Sequence, residues 1–493
     1  MSALPIYTTR AIRKLEALAT KASGAPTLME RAGAAAAEFA RSLCGDTAKA
    51  VLVVAGPGNN GGDAFEVAAH LKLGYFRVSV VFAGERDKLP EDARAALGKW
   101  EAAGGTLLDA IPETSRFDLA VDGLFGIGLT RPLEGAHAAL VGKLNTLGAT
   151  ILSLDIPSGI NADTGAVMGC AVRASHTITF LAHKVGLLTL DGPDYCGALK
   201  LESLGIDPAT VLDPEGELLD ESILKGAIHP RPRNFHKGQA GSVGVLGGAA
   251  GMVGAAVIAG RAALKCGAGR VYLGLLTPRP PCADYAQPEL MLRQPSAVLE
   301  KGRVDALVVG PGMGKAISGR KLLQSALAAP VPVILDADAL NLIAGDRTLA
   351  AAPGKRSAPT IMTPHPAEAA RLLGRTTGEV QSDRVASARE IAQRYRSLVV
   401  LKGNGSVIAA PDGKFWINSS GNPGMASAGM GDALSGMIAA LCAQGLDPLQ
   451  ALLAATYLHG AAADALVAMG SGPVGITASE VIDSARALIN AIR

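Results

Sequence analysis

The feature that most restricts the fold is a repeated unit. A short, nearly continuous run of β-branched apolar residues ends in a glycine-rich turn and gives way to a helical pattern. Ala50–Ala55 (AVLVVA) running into Gly56-Pro-Gly-Asn-Asn-Gly-Gly-Asp63 is the clearest instance. Strands without polar alternation are buried on both faces, which calls for a parallel sheet flanked by helices. Arg77–Ala83, Asp118–Asp122, Thr150–Asp155 and His176–Leu181 read as strands of the same kind, with Asp63–Leu73 and Glu91–Ala103 as crossover helices. The first half is therefore predicted to be a doubly wound, Rossmann-like α/β sheet.

Near residue 205 the rhythm stops. Gly205–Lys237 mixes Asp, Glu and Pro and ends in HPRPRNFHKG. Alternation then restarts with Ser242–Leu246, Arg270–Leu276, Asp305–Val309, Val331–Leu335 and Ser397–Leu401. A chain of 493 residues exceeds one ordinary core. Two domains are expected, 1–215 and 225–493, with the boundary near 215–225.

Charge narrows the partners. With 46 basic against 44 acidic residues the net charge is only +2, and there is no basic block. Nucleic acid and anionic membranes are thereby disfavoured, leaving small-molecule partners. The uncharged run Ala240–Gly260 holds seven glycines and reads as strand, turn and helix start rather than as a membrane span. Six scattered cysteines without a Cys-x-x-Cys pair argue against a disulfide framework or structural zinc, and a cytoplasmic location is expected. The N-terminal stretch MSALPIYTTRAIRKLEAL lacks the apolar core of a secretory signal. Abundant small apolar residues in helices suit close subunit packing, so a homo-oligomer is expected.

Gly56, Gly58 and Gly61 satisfy the GxGxxG spacing of dinucleotide-binding turns, with Glu85 past the next strand as a ribose acceptor. A tight turn with Asn and Asp capping the helix gives the same letters. Two further loops tip the balance toward a ligand crevice: Asp122-Gly-Leu-Phe-Gly-Ile-Gly-Leu-Thr-Arg-Pro132 after the third strand, and Asp155-Ile-Pro-Ser-Gly159 after the fourth. A dehydrogenase fits less well, because the Asp63 carboxylate beside a pyrophosphate repels it unless a cation intervenes.

GNNGGD, DGLFGIGL and DIPSG, with Leu28-Met-Glu-Arg-Ala-Gly33 upstream, resemble the N-terminal domain of the YjeF family over about the first 200 residues. That family is the NAD(P)H-hydrate epimerase. The resemblance implies contacts to the hydrated nucleotide from Asn59, Asn60, Gly61, Gly62 and Asp63, from Gly126, Ile127, Gly128, Leu129, Thr130, Arg131 and Pro132, and from Asp155. It also implies a potassium ion held by Asn60, Asp122 and Ser158. Asp155 is the candidate for proton handling, with Lys184 as its partner; an ordinary surface ion pair is the alternative. Ala64 replaces a glycine common in the family.

In the second half, Gly429-Met-Gly-Asp432 precedes an apolar helix predicted over Ala433 to about Ala443. Backbone donors at a helix start form an anion hole, and an aspartate there can accept a hydroxyl proton as the oxygen attacks phosphorus. A plain helix cap is the alternative. The loops at Gly310–Gly314, Asp336–Asn341, Thr363–Glu368 and Lys402–Ser406 follow strands and are expected to line a crevice. Lys402 suits a phosphate as a point charge. His365, between two prolines, is either a positioned contact or a satisfied structural histidine.

KGQAGSVGVLGG, AGRAALKCGAGRV, GPGMG, LDADALNL, TPHPAE and GNPGMASAGMGDALSG resemble, in order, the C-terminal YjeF domain, a ribokinase-like α/β/α fold with NAD(P)H-hydrate dehydratase activity. The resemblance implies that Ala255, Gly314, His365 and Asp432 contact the hydrated nicotinamide nucleotide. It places the adenine nucleotide, ADP, on Lys402, Gly403, Asn404, Gly405, Ser406 and Gly431, with magnesium as phosphate clamp. Met430 and Ala433 depart from the family's usual residues, and Met430 is expected to alter the anion pocket. The implied activities are epimerisation of R and S hydrates (an isomerase) and ADP-dependent dehydration of the S form (a lyase), releasing AMP and phosphate. A thiazole- or pyridoxine-type kinase fused to a nucleotide-binding domain is the rival, and a non-catalytic nucleotide sensor a second.

Overall fold

The computed structural model describes residues 4–22, 26–45, 49–113, 116–228 and 230–492. The chain divides into two compact units, one reaching to Glu217 and the other beginning at Leu218.

The first unit contains β1 (Leu4–Tyr7), β2 (Ala50–Ala55), β3 (Arg77–Phe82), β4 (Leu107–Leu108), β5 (Leu119–Gly123), β6 (Thr150–Leu154), β7 (His176–Phe180), β8 (His183–Lys184) and β9 (Ala198–Glu202). Seven of them form a sheet in the order β4-β3-β2-β5-β6-β7-β9, parallel throughout. Both faces are covered: Val51, Val53 and Ala55 point into one apolar core, Leu52 and Val54 into another. This is why β2 tolerates no polar residue. Strand order reverses between β2 and β5, so the turns after these two strands open a crevice where an open α/β sheet binds ligands. Outside this sheet, β1 pairs in parallel with β8, Ile6 opposite His183 and Tyr7 opposite Lys184.

The helix after β2 spans Asn59–Leu73 and begins four residues earlier than apolar periodicity predicts. Asn59, Asn60 and the two glycines carry no apolar signal, yet they form its first turn. Gly58 occupies the cap position in an extended conformation, and no side chain caps the helix. The reading of this segment as an Asn/Asp cap is therefore wrong.

A short strand, β10 (Gly216–Leu218), lies at the boundary. The second unit holds β11 (Ser242–Gly247), β12 (Arg270–Leu275), β13 (Met291–Arg293), β14 (Ala306–Val309), β15 (Val333–Leu335), β16 (Thr360–Met362), β17 (Leu398–Leu401), β18 (Ser406–Ala409) and β19 (Phe415–Asn418). Their order is β13-β12-β11-β14-β15-β16-β17-β18-β19, parallel up to β17 and antiparallel beyond it. Here the reversal falls between β11 and β14. The uncharged run at 240–260 resolves into β11, a turn and the start of the Val253–Lys265 helix. Pro448–Ala468 is long and apolar enough to cross a bilayer, but 67% of its most apolar stretch is buried in the protein.

Candidate functional site

In the first unit the turns after β2 and β5 touch. A Cβ on Gly56 would stand 1.7 Å from the Leu124 carbonyl oxygen, and one on Gly61 would stand 2.0 Å from the Gly56 carbonyl oxygen. Glycine at both positions lets the Asn59–Leu73 helix start hard against the exit of β5. Asn60 follows from this approach: its Oδ1 lies 3.1 Å from the Cβ position of Gly126, and its buried Nδ2 has no hydrogen-bond partner. Gly128, Thr130, Arg131 and Pro132 are exposed along the second loop, and Asn59 is exposed on the first. Ile127 is half-buried. The Leu129 side chain is buried in the apolar core, which leaves its backbone for the crevice. Ala64 is fully buried, 2.5 Å from the Cβ position of Gly123, so the missing glycine is accommodated by packing.

Asp122, next to last in β5, is a fully buried carboxylate. It accepts from Leu124 N (3.2 Å), Ser153 Oγ (2.8 Å), Ser158 N (2.9 Å) and Ser158 Oγ (2.5 Å). Burial pushes its carboxyl above the ordinary range while these hydrogen bonds pull against the shift. No cationic side chain is paired with it among the described residues.

Asp155 leaves β6 with φ +64°, a left-handed conformation unusual for a residue with a side chain. Its Oδ1 accepts from Lys184 Nζ, from Thr179 Oγ1 (3.3 Å) and from Phe180 N (3.3 Å). Lys184 also donates to Thr179 Oγ1 at 3.0 Å and to the Phe180 carbonyl at 2.7 Å. With side-chain exposures of 1% for Lys184 and 13% for Asp155, this is not a surface ion pair. Asp63 belongs to the same electrostatic group. Burial, then the charges of Asp155 and Glu16, hold its carboxyl well above the ordinary range. Glu16 carries no motif signal, and sequence reasoning missed it. Glu85, the supposed ribose acceptor, is exposed and paired with Lys88.

In the second unit, the helix spans Met430–Ala443 and its cap is Gly429 at φ +90°. Asp432 therefore sits inside the first turn and is not the cap. Burial, with Asp336 and Glu368 nearby, pushes its carboxyl up to about 7, against the pull of Lys402. Lys402 Nζ donates to Asp336 Oδ1 at 2.9 Å and lies 2.9 Å from the Cβ position of Gly431. Asp336 also accepts from Thr363 Oγ1 (2.7 Å) and Ser435 Oγ (2.9 Å), joining the ends of β15, β16 and β17 to the helix start. Met430 is buried in the apolar core, so it does not reshape the anion pocket as expected.

His365 caps the Pro366–Leu373 helix: its Nδ1 accepts from Ala367 N at 3.1 Å, and Nε2 lies 3.4 Å from Glu368 Oε1. The structural reading of this histidine holds at Nδ1, while its side chain stays 48% exposed. At the β11/β14 reversal, a Cβ on Gly312 would stand 3.3 Å from Ala255 Cβ, and Gly314 N donates to Asp338 Oδ2 at 2.8 Å. The turn at Gly403–Ser406 closes on itself, with Gly403 N donating to Ser406 Oγ at 3.3 Å. Behind it the buried Arg384 guanidinium donates to the Leu401 carbonyl at 3.2 Å.

Two doubly wound α/β units, each with glycine-tightened turns and a buried carboxylate–lysine pair at its strand ends, define a nucleotide-handling enzyme with two sites. The NAD(P)H-hydrate dehydratase family matches residues 243–485, and the YjeF-related N-terminal family matches 25–186. The bifunctional NAD(P)H-hydrate repair enzyme of Coxiella burnetii is 37% identical over 98% of this chain and 99% of its own. That of Escherichia coli is 40% identical over 94% and 89%. The ADP/ATP-dependent NAD(P)H-hydrate dehydratase of Bacillus subtilis, crystallised with ATP and Mg²⁺, superposes with a TM-score of 0.50 at 32% identity, covering 56% of this chain and 98% of that one. The chain belongs to the bifunctional NAD(P)H-hydrate repair enzyme family.

Proposed function

We propose that residues 1–215 epimerise the R and S forms of hydrated NADH and NADPH, and that residues 225–493 dehydrate the S form at the expense of ADP. The observation that carries the second activity is Asp432 in the first turn of the Met430–Ala443 helix, beside Gly431 and the Lys402–Asp336 pair. Hydration places a hydroxyl on carbon six of the nicotinamide ring. Hydroxide is a poor leaving group, whereas a phosphate ester leaves readily when the ring nitrogen pushes. Asp432 takes the hydroxyl proton as the oxygen attacks the terminal phosphoryl group, and the N–H groups at Gly429–Gly431 receive the charge that develops. AMP leaves as the phosphoryl group is transferred; the ring nitrogen then expels phosphate from carbon six, and loss of a proton from carbon five restores the reduced ring.

Lys402 holds the nucleotide phosphates, with Gly403, Asn404, Gly405, Ser406 and Gly431 framing them. Ala255, Gly314 and the exposed side of His365 receive the nicotinamide nucleotide. Lys402 holds the Asp336 carboxyl below the ordinary range, and the Asp336 charge in turn raises the proton affinity of Glu368 and Asp432. Magnesium, when bound with the nucleotide, would neutralise phosphate charge; among the described residues no group of three or more carboxylate, histidine or cysteine ligands is gathered for it.

In the first unit Asp155, oriented by Lys184, handles the proton, and the Asn59–Asp63 and Gly126–Pro132 loops hold the nucleotide. Asn60 Oδ1, Asp122 and Ser158 are the oxygen donors offered to potassium: a buried carboxylate without a cationic partner among the described residues adjoins hydroxyl oxygens. Hard oxygen donors suit such an ion, which when bound offsets the negative charge of the crevice.

The deciding experiment supplies separated R and S hydrates with ADP. Recovery of reduced cofactor from both, with stoichiometric phosphate, supports the reading. A persistent phosphorylated product points instead to a small-molecule kinase.

A further inference from the structure

The first helix of the chain, Thr9–Ala22, packs beside the second glycine-rich loop of the N-terminal unit although no motif marks it. It follows β1, whose Tyr7 is paired with Lys184 across the parallel β1–β8 ladder. Its first residue is anchored to the loop after β6, where Thr9 N donates to Asp163 Oδ1 at 2.6 Å. Ala11, Ile12, Leu15 and Ala19 are buried. Arg13, on the neighbouring face, brings Nη2 within 3.8 Å of the Cβ position of Gly128 in the second glycine-rich loop. Glu16 stands one turn beyond Arg13 on the same side of the helix.

Four charged groups act on Glu16: Asp155 from the turn after β6, Asp63 from the first turn of Asn59–Leu73, Lys184 from β8, and Arg13 from its own helix. Burial and the Asp155 charge push its carboxyl up to about 6. Asp155, in contrast, is locked to the Lys184 ammonium. One carboxyl group, Asp155, is thus fixed beside a cation, and a second, Glu16, has no ion pair of that kind among the described residues.

We propose that Glu16 is a second proton-handling residue of the N-terminal site, serving as the acid while Asp155 serves as the base. The inference rests on the epimerase reading above. Asp155 takes the proton of the carbon-six hydroxyl as the C6–N1 bond breaks, leaving an aldehyde. The electron pair of that bond goes to N1, which takes a proton from Glu16. Rotation about C5–C6 presents the other aldehyde face. N1 then re-forms the bond, its proton returns to Glu16, and the new alkoxide recovers its proton from Asp155. Both residues end as they began, and no oxidant or co-reactant is consumed.

The test uses the full chain, the separated R and S hydrates, and ADP. Glu16→Gln is expected to slow R-to-S conversion about a hundredfold. It should also remove the fall in wild-type rate as pH rises through about 6, while leaving dehydration of the S form unchanged. Glu16→Asp should retain measurable conversion with that limb moved to a different pH. If Glu16→Gln proves insoluble, Glu16→Asp decides alone, an unmoved pH limb counting against the proposal. Conversion within about twofold of wild type and an unaltered pH profile in Glu16→Gln, with Asp155→Asn inactive, overturn the role of Glu16 only. A wild-type chain that does not accelerate R-to-S conversion at all overturns the epimerase reading itself.

Discussion

Lys402 donates to Asp336 Oδ1 at 2.9 Å, and the same ammonium stands 2.9 Å from the point where a methyl group on Gly431 would lie. One buried cation is therefore shared between a carboxylate behind it and the helix start in front of it. Gly431→Ala is expected to push the ammonium aside without harming the helix, since alanine favours helical backbone over glycine. ADP titration should show affinity falling about tenfold, a loss of about 1.4 kcal/mol, with thermal stability kept. Unchanged ADP affinity would remove Lys402 from the phosphate site.

Asp432→Asn separates binding from chemistry. Dehydration of the S hydrate should fall by about 10²–10⁴-fold, the span of general-base catalysis, with ADP affinity nearly kept. Because the carboxyl is held up at about 7 and acts as the base, wild-type kcat/KM should rise with pH through that value, and the rise should vanish in the variant.

The same shift has a stability consequence. Asp432 binds its proton more tightly when folded than when unfolded, so its contribution falls as pH climbs from about 4 to about 7. Above pH 7 the folded chain carries an ionised, desolvated carboxylate near Asp336 and Glu368. Asp432→Asn should raise Tm at pH 8 and leave it unchanged below pH 4, as followed by calorimetry. A destabilised variant at pH 8 contradicts this electrostatic account.

Asp155 combines a functional carboxylate with a left-handed backbone. Asparagine tolerates φ near +64° better than alanine does. Asp155→Asn should preserve the melting temperature and S-hydrate dehydration while abolishing accelerated use of the R hydrate. Asp155→Ala should add a stability loss of about 1 kcal/mol. Rapid consumption of both epimers by either variant would exclude Asp155 from proton handling.

Potassium dependence should be confined to the first unit. In buffer where choline replaces potassium, R-to-S conversion is expected to fall and the melting of this unit to shift downward. Asp122→Asn, which removes the buried charge, should erase the difference. Equal conversion with and without potassium argues against the assignment of Asn60, Asp122 and Ser158.

Much of the architecture was legible because burial on both faces leaves a mark in the letters. Val51, Val53 and Ala55 serve one core and Leu52 and Val54 the other, which is why β2 reads as unbroken apolar sequence. Helix starts were less legible. Asn59–Gly62 and Met430–Asp432 lie in first turns, where free N–H groups and close backbone contact favour glycine and polar residues over the apolar period. The short strands β4 and β8, two residues each, carry too little pattern to be seen. Met430 was misjudged for a related reason: a motif gives order along the chain but not the direction of a side chain.

What the sequence determined by itself was the succession of strands, turns and helices, the residues offered at each turn, and, through GNNGGD and GMGD, the chemistry those turns can support. Tertiary structure alone decided which turns meet. The reversals between β2 and β5 and between β11 and β14 bring Asn60 to Gly126 and Ala255 to the Gly310–Gly314 loop, and the packing of the first helix carries Glu16 into the field of Asp155. Local patterns arise from contacts a few residues apart. Strand order and helix docking are fixed by burial between segments far apart in the chain, which leaves no periodic trace at either one.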